Sequence, residues 1–255
     1  MVEIKTPAEL DAMREAGRVV GRTIQALTRH AAPGVRLDEL DELAATLIAE
    51  AGATPAFLGY HPPFAPTPYP AVVSTSVNDV IVHGIPTRYR LREGDVLSID
   101  CGAYLDGWAG DSATTITIGP PAPADATLID TTRRALDNAI AAAIPGNRIG
   151  DISHAIASTA QAAGYGYPLD FGGHGIGRHM HEDPHVANHG RPGRGLPLRP
   201  GLVLALEPMF IAGGAHRYRT APDGWSLTTH DRSRAAHAEH TVAITDDGPR
   251  ILTLP

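Results

Sequence analysis

Four acidic residues and one histidine-rich stretch could carry chemistry in this sequence. Asp100 and Asp111 flank the dipeptide Asp106-Gly107 in a run from Ser98 to Asp111. Asp-Gly between apolar runs is a strong hairpin signal, because both turn positions need positive φ. A turn there sets Asp100 opposite Ala113 and Asp111 opposite Gly102, so the two carboxylates become diagonal neighbours on one face. Such a pair repels, and one carboxyl stays protonated unless a cation intervenes. Both side chains pointing to water is the alternative. Val96, Ile99 and Ile116 give these strands a core-like composition that favours a metal.

Glu207 follows the apolar run Leu202-Val203-Leu204-Ala205-Leu206. A carboxylate there is expensive unless paired or coordinated, although a surface glutamate at a strand end reads equally well. Pro208 cannot donate to a ladder, so the strand stops or meets an edge. Glu239 opens Glu239-His240-Thr241-Val242-Ala243-Ile244-Thr245, whose alternation puts Glu239 and Thr241 on one face. That face is either solvent or site.

Five of the 13 histidines fall within 16 residues: His174, His179, His181, His185 and His189. A solvated loop accounts for His179, His185 and His189. His174 lies in Gly172-Gly173-His174-Gly175-Ile176-Gly177-Arg178, where glycine permits close backbone approach. The glycine spacing is not that of a dinucleotide fingerprint. His181-Glu182-Asp183-Pro184-His185 matches the H-E-x-x-H signature of zinc proteases. That motif needs both histidines on one helical face. Pro184 between them would cost a helix ~3 kcal/mol, and the zinc-protease reading is rejected.

The elements that must position these residues have their own signals. Thr6-Pro7-Ala8-Glu9 is a capping box with proline at the first helical position. Leu10, Met13, Val20, Ile24 and Leu27 continue a helix up to Pro33-Gly34. A second helix is expected from Asp38 to Ala51. The proline-rich stretch from Tyr60 to Pro70 reads as a loop or lid. Strands are expected over Ala71–His83, Val96–Ala103 and Ser112–Ile118, then helices over Asp125–Ile144 and Asp151–Ala163. Late strands follow over Leu202–Pro208 and Glu239–Thr245. The order predicts an α+β fold with helices on a largely antiparallel sheet. The two halves share a rough helix–helix–strand order, a weak hint of internal pseudosymmetry.

Composition sets the bounds. A chain of 255 residues with 43% hydrophobic content can bury a full core. No apolar run approaches the ~20 residues that span a bilayer. The start lacks the features of a signal peptide, so a cytoplasmic location is expected. The lone Cys101 excludes an internal disulfide and a cysteine zinc site. A net charge of −7 argues against nucleic-acid binding. Lys5 is the sole lysine, which reads as coding bias.

Taken together, these pieces resemble the type I methionine aminopeptidases of the creatinase-like "pita-bread" fold. The matching stretches are Asn78 through Pro86, Ser98-Ile99-Asp100, Gly110-Asp111-Ser112, Gly173 through Pro184, Leu206 through Met209, and Glu239-His240-Thr241. The resemblance implies a single catalytic domain over 1–255, an antiparallel sheet with helices on its outer face, and an internal pseudo-two-fold. It implies five metal ligands, Asp100, Asp111, His174, Glu207 and Glu239, holding two divalent ions. Asp111 and Glu239 would bridge the ions, Asp100 would chelate one, and His174 and Glu207 would bind the other. Four carboxylates balance two such ions, and the oxygen-rich set suits Co²⁺, Mn²⁺ or Fe²⁺. A hydroxide between the ions would be the nucleophile. Glu207 would shuttle protons, and His83 and His181 would contact the substrate amine and reacting amide. The methionine pocket would draw on Tyr60, Tyr69, Ser74, Met180 and Trp225, with core packing an equal reading for Met180. Here the chain departs from the pattern: family members often have cysteine in place of Ser74 and an aromatic in place of Met180. The implied activity is removal of the amino-terminal methionine before a small second residue. The implied substrates are nascent chains, with contact at the ribosome open, no membrane, and a monomer.

Three rivals share the scaffold. Proline-specific peptidases keep the same five ligands but usually add an amino-terminal domain, for which the early position of Asp100 leaves no room. A catalytically dead binding protein would have lost ligands, and none is lost. Type II methionine enzymes carry a helical insert before Glu207, but His181 and Glu207 lie only 26 apart.

Overall fold

The protein is described from a computed structural model covering residues 2–255. The capping box forms as expected. Glu9 N–H donates to Thr6 Oγ1, and Thr6 N–H donates to Glu9 Oε2 at 2.8 Å. It opens helix α1 (Pro7–His30), and α2 (Leu37–Glu50) follows. Strands β1 (Thr54–Pro55), β2 (Val73–Val77), β3 (Val80–Val82), β4 (Val96–Leu105) and β5 (Trp108–Thr117) come next. Helices α3 (Pro123–Ala142) and α4 (Ile149–Ala163) then precede β6 (Gly172–Gly175), β7 (Glu182–Ala187) and β8 (Val203–Leu206). The chain continues through β9 (Met209–Ile211), β10 (Tyr218–Thr220), β11 (Leu227–Thr229) and β12 (Ala235–His237) to β13 (Glu239–Thr245) and β14 (Gly248–Ile251). Two helices followed by strands thus occur twice.

A nine-stranded sheet runs β1-β4-β5-β13-β8-β6-β7, with β2 also paired to β4 and β14 to β13. Its pairings are antiparallel. Asp106 and Gly107 take φ of 51° and 74° and join β4 to β5. The hairpin keeps the expected register, Asp100 opposite Ala113 and Gly102 opposite Asp111.

Alternation along the strands divides the sheet into two faces. Leu97, Ile99, Cys101 and Ala103 of β4 pack with Val20, Ile24, Leu27, Leu40 and Ile48 of α1 and α2. Leu204, Leu206, Val242 and Ile244 pack with Leu128, Leu136, Ile152 and Ile156 of α3 and α4. Each helix pair thus covers half of the sheet's outer side, and the intervening strand positions face the opposite way. Helix α1 lies close on β5 because both contact points are glycine. A Cβ on Gly110 would stand 2.8 Å from Gly17 Cα.

Three expectations need correction. The strand expected over Ala71–His83 is two, β2 and β3, because Asn78 turns at φ 59°. The glycine-rich stretch around His174, given no element from sequence, is strand β6, and several short strands had no periodic signal. Lys5 is no mere compositional residue. It is 4% exposed, and its Nζ lies 2.8 Å from Glu182 Oε2. Among the described residues, no helix is long and apolar enough to cross a membrane.

Candidate active site

Sheet register gathers the acidic residues. Ser74, Asp100, Ala113 and Glu239 stand opposite one another across β2, β4, β5 and β13. A second row, two residues along, contains Asp111 of β5, Thr241 of β13, Ala205 of β8 and His174 of β6. Positions two apart share a face, so both rows look into one cleft of about 600 Å³. Glu207, just beyond β8, also lines it.

The side chains are held before anything binds. Asp111 is bracketed by Thr241: the Asp111 N–H donates to Thr241 Oγ1 at 3.0 Å, and that hydroxyl donates to the Asp111 carbonyl at 2.8 Å. Ser112 Oγ donates to the Glu239 carbonyl at 2.6 Å, tying β5 to β13. His174 Nδ1 lies 2.8 Å from the Gly175 carbonyl and must carry the proton there. Its Nε2 lone pair is therefore free, 3.6 Å from Glu207 Oε1 and 3.9 Å from Asp111 Oδ2.

The electrostatics call for cations. Burial, against the opposing pull of His237, raises the Asp100 carboxyl to about 7. Burial, then the charges of neighbouring carboxylates, raise Asp111 and Glu239 well above the ordinary range. Burial also works against ionisation of Glu207, but His237, His174 and His181 outweigh it and hold that carboxyl low. Asp100 Oδ1, Asp111 Oδ1 and Glu239 Oε1 are buried without hydrogen-bond partners. Buried polar atoms are rarely left so. Donor atoms of Asp111, His174 and Glu239 lie within 4.8 Å of one another, and so do those of Asp100, His237 and Glu239. Orphaned oxygens, clashing carboxylates and a free imidazole nitrogen fit divalent ions.

His83 and His181 both line the cleft around this cluster. His83 has φ 60° and an unpartnered buried Nδ1. A non-glycine residue there carries strain of order 1–3 kcal/mol that the surroundings must hold. Burial lowers His83 to about 4. Burial, then His174, lower His181 to about 3. His181 is accessible through the cleft, with Tyr60 stacked on it at 4.9 Å and His174 at 4.3 Å. Both rings are neutral at pH 7.

Tyr60, Tyr69, Ser74 and Trp225 line the cleft. Tyr69 and Trp225 meet edge-on at 5.0 Å, and the Trp225 indole N–H donates to the Thr67 carbonyl. Met180 is not brought there. Tyr104 Oη accepts its backbone N–H, and the side chain packs beneath β4 with Met13, Ala56 and Trp108, its methyl filling the space left by Gly102. The H-E-x-x-H stretch is strand rather than helix from Glu182 onward, and Glu182 is committed to Lys5. His179 and His189 are exposed, whereas His185, though exposed, sits on strand β7 opposite His174 and lines the cleft, against the loop reading.

Sequence reading missed Phe57, Phe64 and Phe171, from irregular segments, and Tyr218, at the start of β10, whose rings complete the cleft wall. It also missed His237, although the period-2 spacing of His237 and Glu239 was a readable signal.

The sequence matches metallopeptidase family M24 over residues 11–246. The chain belongs to that family. It is 50% identical to methionine aminopeptidase 1 of Mycobacterium tuberculosis, over 100% of this chain and 96% of the relative. It is 46% identical to the methionine aminopeptidase of Clostridium acetobutylicum, over 100% of this chain and 99% of the relative. The crystal structure of methionine aminopeptidase from Thermotoga maritima superposes with a TM-score of 0.95 at 38% identity, each chain covered over 100%. A prolidase from Pyrococcus furiosus shares the fold at 22% identity and a TM-score of 0.74, with this chain covering 65% of it. The pita-bread fold expected for this M24 member is borne out.

Proposed function

We infer that this metallopeptidase removes the amino-terminal methionine from proteins and peptides whose second residue is small. The observation that carries this reading is the cluster of buried carboxylates, three with a partnerless oxygen, in an aromatic-walled cleft. Full-length similarity to methionine aminopeptidases supports it.

In this reading Asp100, Asp111, His174, Glu207 and Glu239 hold two divalent ions, which supply Lewis acidity to polarise the scissile carbonyl and acidify water. Glu239 belongs to both donor sets, and Asp111 to the one with His174. Glu207, the carboxyl held low, takes the proton from the attacking water and returns it to the leaving amine. His181, neutral at pH 7, donates an N–H to the carbonyl oxygen as negative charge develops. His83 orients the substrate amine. Tyr60, Tyr69, Phe64, Phe171 and Trp225 enclose the methionine side chain, and rings of this kind favour contact with a thioether.

Co²⁺, Mn²⁺ and Fe²⁺ are the candidate ions. Residues 1–255 are read as one catalytic domain, since the strands of the two halves join edge to edge in one sheet, β5 pairing with β13. Nascent chains in the cytoplasm, at the ribosome or after release, are the substrates, and the protein acts as a monomer.

Product analysis tests the reading. Protein loaded with each metal is offered Met-Gly, Met-Ala and Met-Ser peptides beside Xaa-Pro peptides. Free methionine should appear from the first set, and bulky second residues should be refused by overpacking. Preference for Xaa-Pro would favour the proline-specific peptidases, and no turnover with any metal would favour a binding protein on this scaffold.

A further inference from the structure

His237 stands outside the five expected ligands, yet it is built into the same cluster. It is 1% exposed, and both ring nitrogens are buried without hydrogen-bond partners. Its Nε2 lies 3.6 Å from Glu207 Oε2 and 3.7 Å from Glu239 Oε2. Those distances are too long for hydrogen bonds. They lie just beyond the roughly 3.0–3.5 Å that separates donors sharing a cation at ~2.1 Å, so a small contraction would close them on one ion.

The backbone of His237 is fixed by a second threonine bracket. His237 N–H donates to Thr115 Oγ1 at 2.8 Å, and that hydroxyl donates to the His237 carbonyl at 2.7 Å. Thr241 holds Asp111 in the same way. Residue 237 also pairs with Met209 in the β12–β9 ladder. The ring therefore has a set position and an unmet need for partners.

We propose that His237 is a sixth protein ligand, completing an Asp100–His237–Glu239 set beside the Asp111–His174–Glu239 set. Each ion then receives one imidazole, and Glu239 is common to both. This assignment rests on the two-ion reading above. Its consequence is selectivity: a second imidazole in place of an oxygen donor shifts preference from Mn²⁺ toward Co²⁺, Fe²⁺ and Zn²⁺. The rival role is positional, in which the ring only steers Glu207 and binds no ion.

Co²⁺ titrated into metal-free protein separates the two. A ring bound to Co²⁺ gives a hyperfine-shifted, solvent-exchangeable N–H proton signal, so two such signals are expected at full loading. His237→Gln and His237→Asn should each remove one signal and keep the one from His174. Both should also lower Co²⁺ affinity at one site by at least about 10-fold, with a smaller change for Mn²⁺. His174→Asn should do the converse and leave the His237 signal. Two bound Co²⁺ ions with a single imidazole signal in the unmodified protein would overturn the proposal and leave the two-ion reading intact. Retention of both signals in the His237 variants would overturn it as well. Failure of the unmodified protein to bind Co²⁺ would overturn both readings together.

Discussion

His181 and His174 touch, with ring centroids 4.3 Å apart, yet their roles divide sharply. His174 offers a lone pair to the acidic cluster, whereas His181 faces the open cleft. His181→Ala should therefore keep both metals and lower kcat by roughly 10²–10⁴ with little change in KM. His174→Ala should lose metal affinity first. Metal content and kinetics at saturating metal check the pair, and the reverse pattern would exchange their roles. The carboxylates give a pH dependence. Metal-free, folded Asp100 keeps its proton up to about pH 7, whereas the unfolded chain releases it near pH 4. That contribution to stability is complete below about pH 4 and is lost as pH rises through about 7. Bound cations displace the same proton, so their stabilising effect grows with pH. The rise in Tm on adding Mn²⁺ should be larger at about pH 8 than at about pH 5.5, and thermal scans with a flat or falling difference would contradict this. The Asp100–Asp111 relation was legible because one local turn sets it. Glu207 and Glu239 were ambiguous alone, because their neighbours come from strands distant in sequence.

At the scale of elements, α1 reaches the sheet through a pair of glycines. In Gly110→Ala the new methyl would meet backbone, Gly17 Cα at 2.8 Å and Gly17 N at 2.9 Å, which no rotamer change can relieve. The helix must lift or β5 must shift, at a cost of about 1–3 kcal/mol. Asp111 is the next residue, so metal affinity should fall together with stability. Urea denaturation and metal titration measure the two effects, and an unchanged midpoint would mean that α1 does not bear on β5 there. The long elements were legible because α1, β4 and β5 each carry a capping or turn signal and a clear period. Strands β6 and β7 were hidden, since Gly172–Gly175 has almost no side chains to show a period and Pro184 reads as a breaker. The aromatic wall was hidden too: Phe57, Phe64 and Phe171 lie in irregular segments brought together only by the closed fold.

Across the whole molecule, the amino-terminal segment is fastened by the Lys5–Glu182 ion pair to the far edge of the sheet and by the Lys5 N–H to the Gly201 carbonyl. The Lys5 and Glu182 side chains are 2% and 12% exposed. Lys5→Met would leave the Glu182 carboxylate without its counter-charge and with only backbone N–H partners such as His179, a loss of about 1–3 kcal/mol. Adding Glu182→Gln should recover part of that loss, as denaturation of the single and double variants would show. If Lys5→Met were neutral, the pair would contribute nothing to holding the first residues against β7. The same contact makes the protein its own reporter. Every other basic side chain is arginine or histidine, so a reagent that acylates lysine finds one ε-amine, and the folded protein conceals it. Acylation at residue 5 then proceeds only when the segment swings clear of β7. Its rate, followed by mass spectrometry, would time the openings of this edge without any introduced probe.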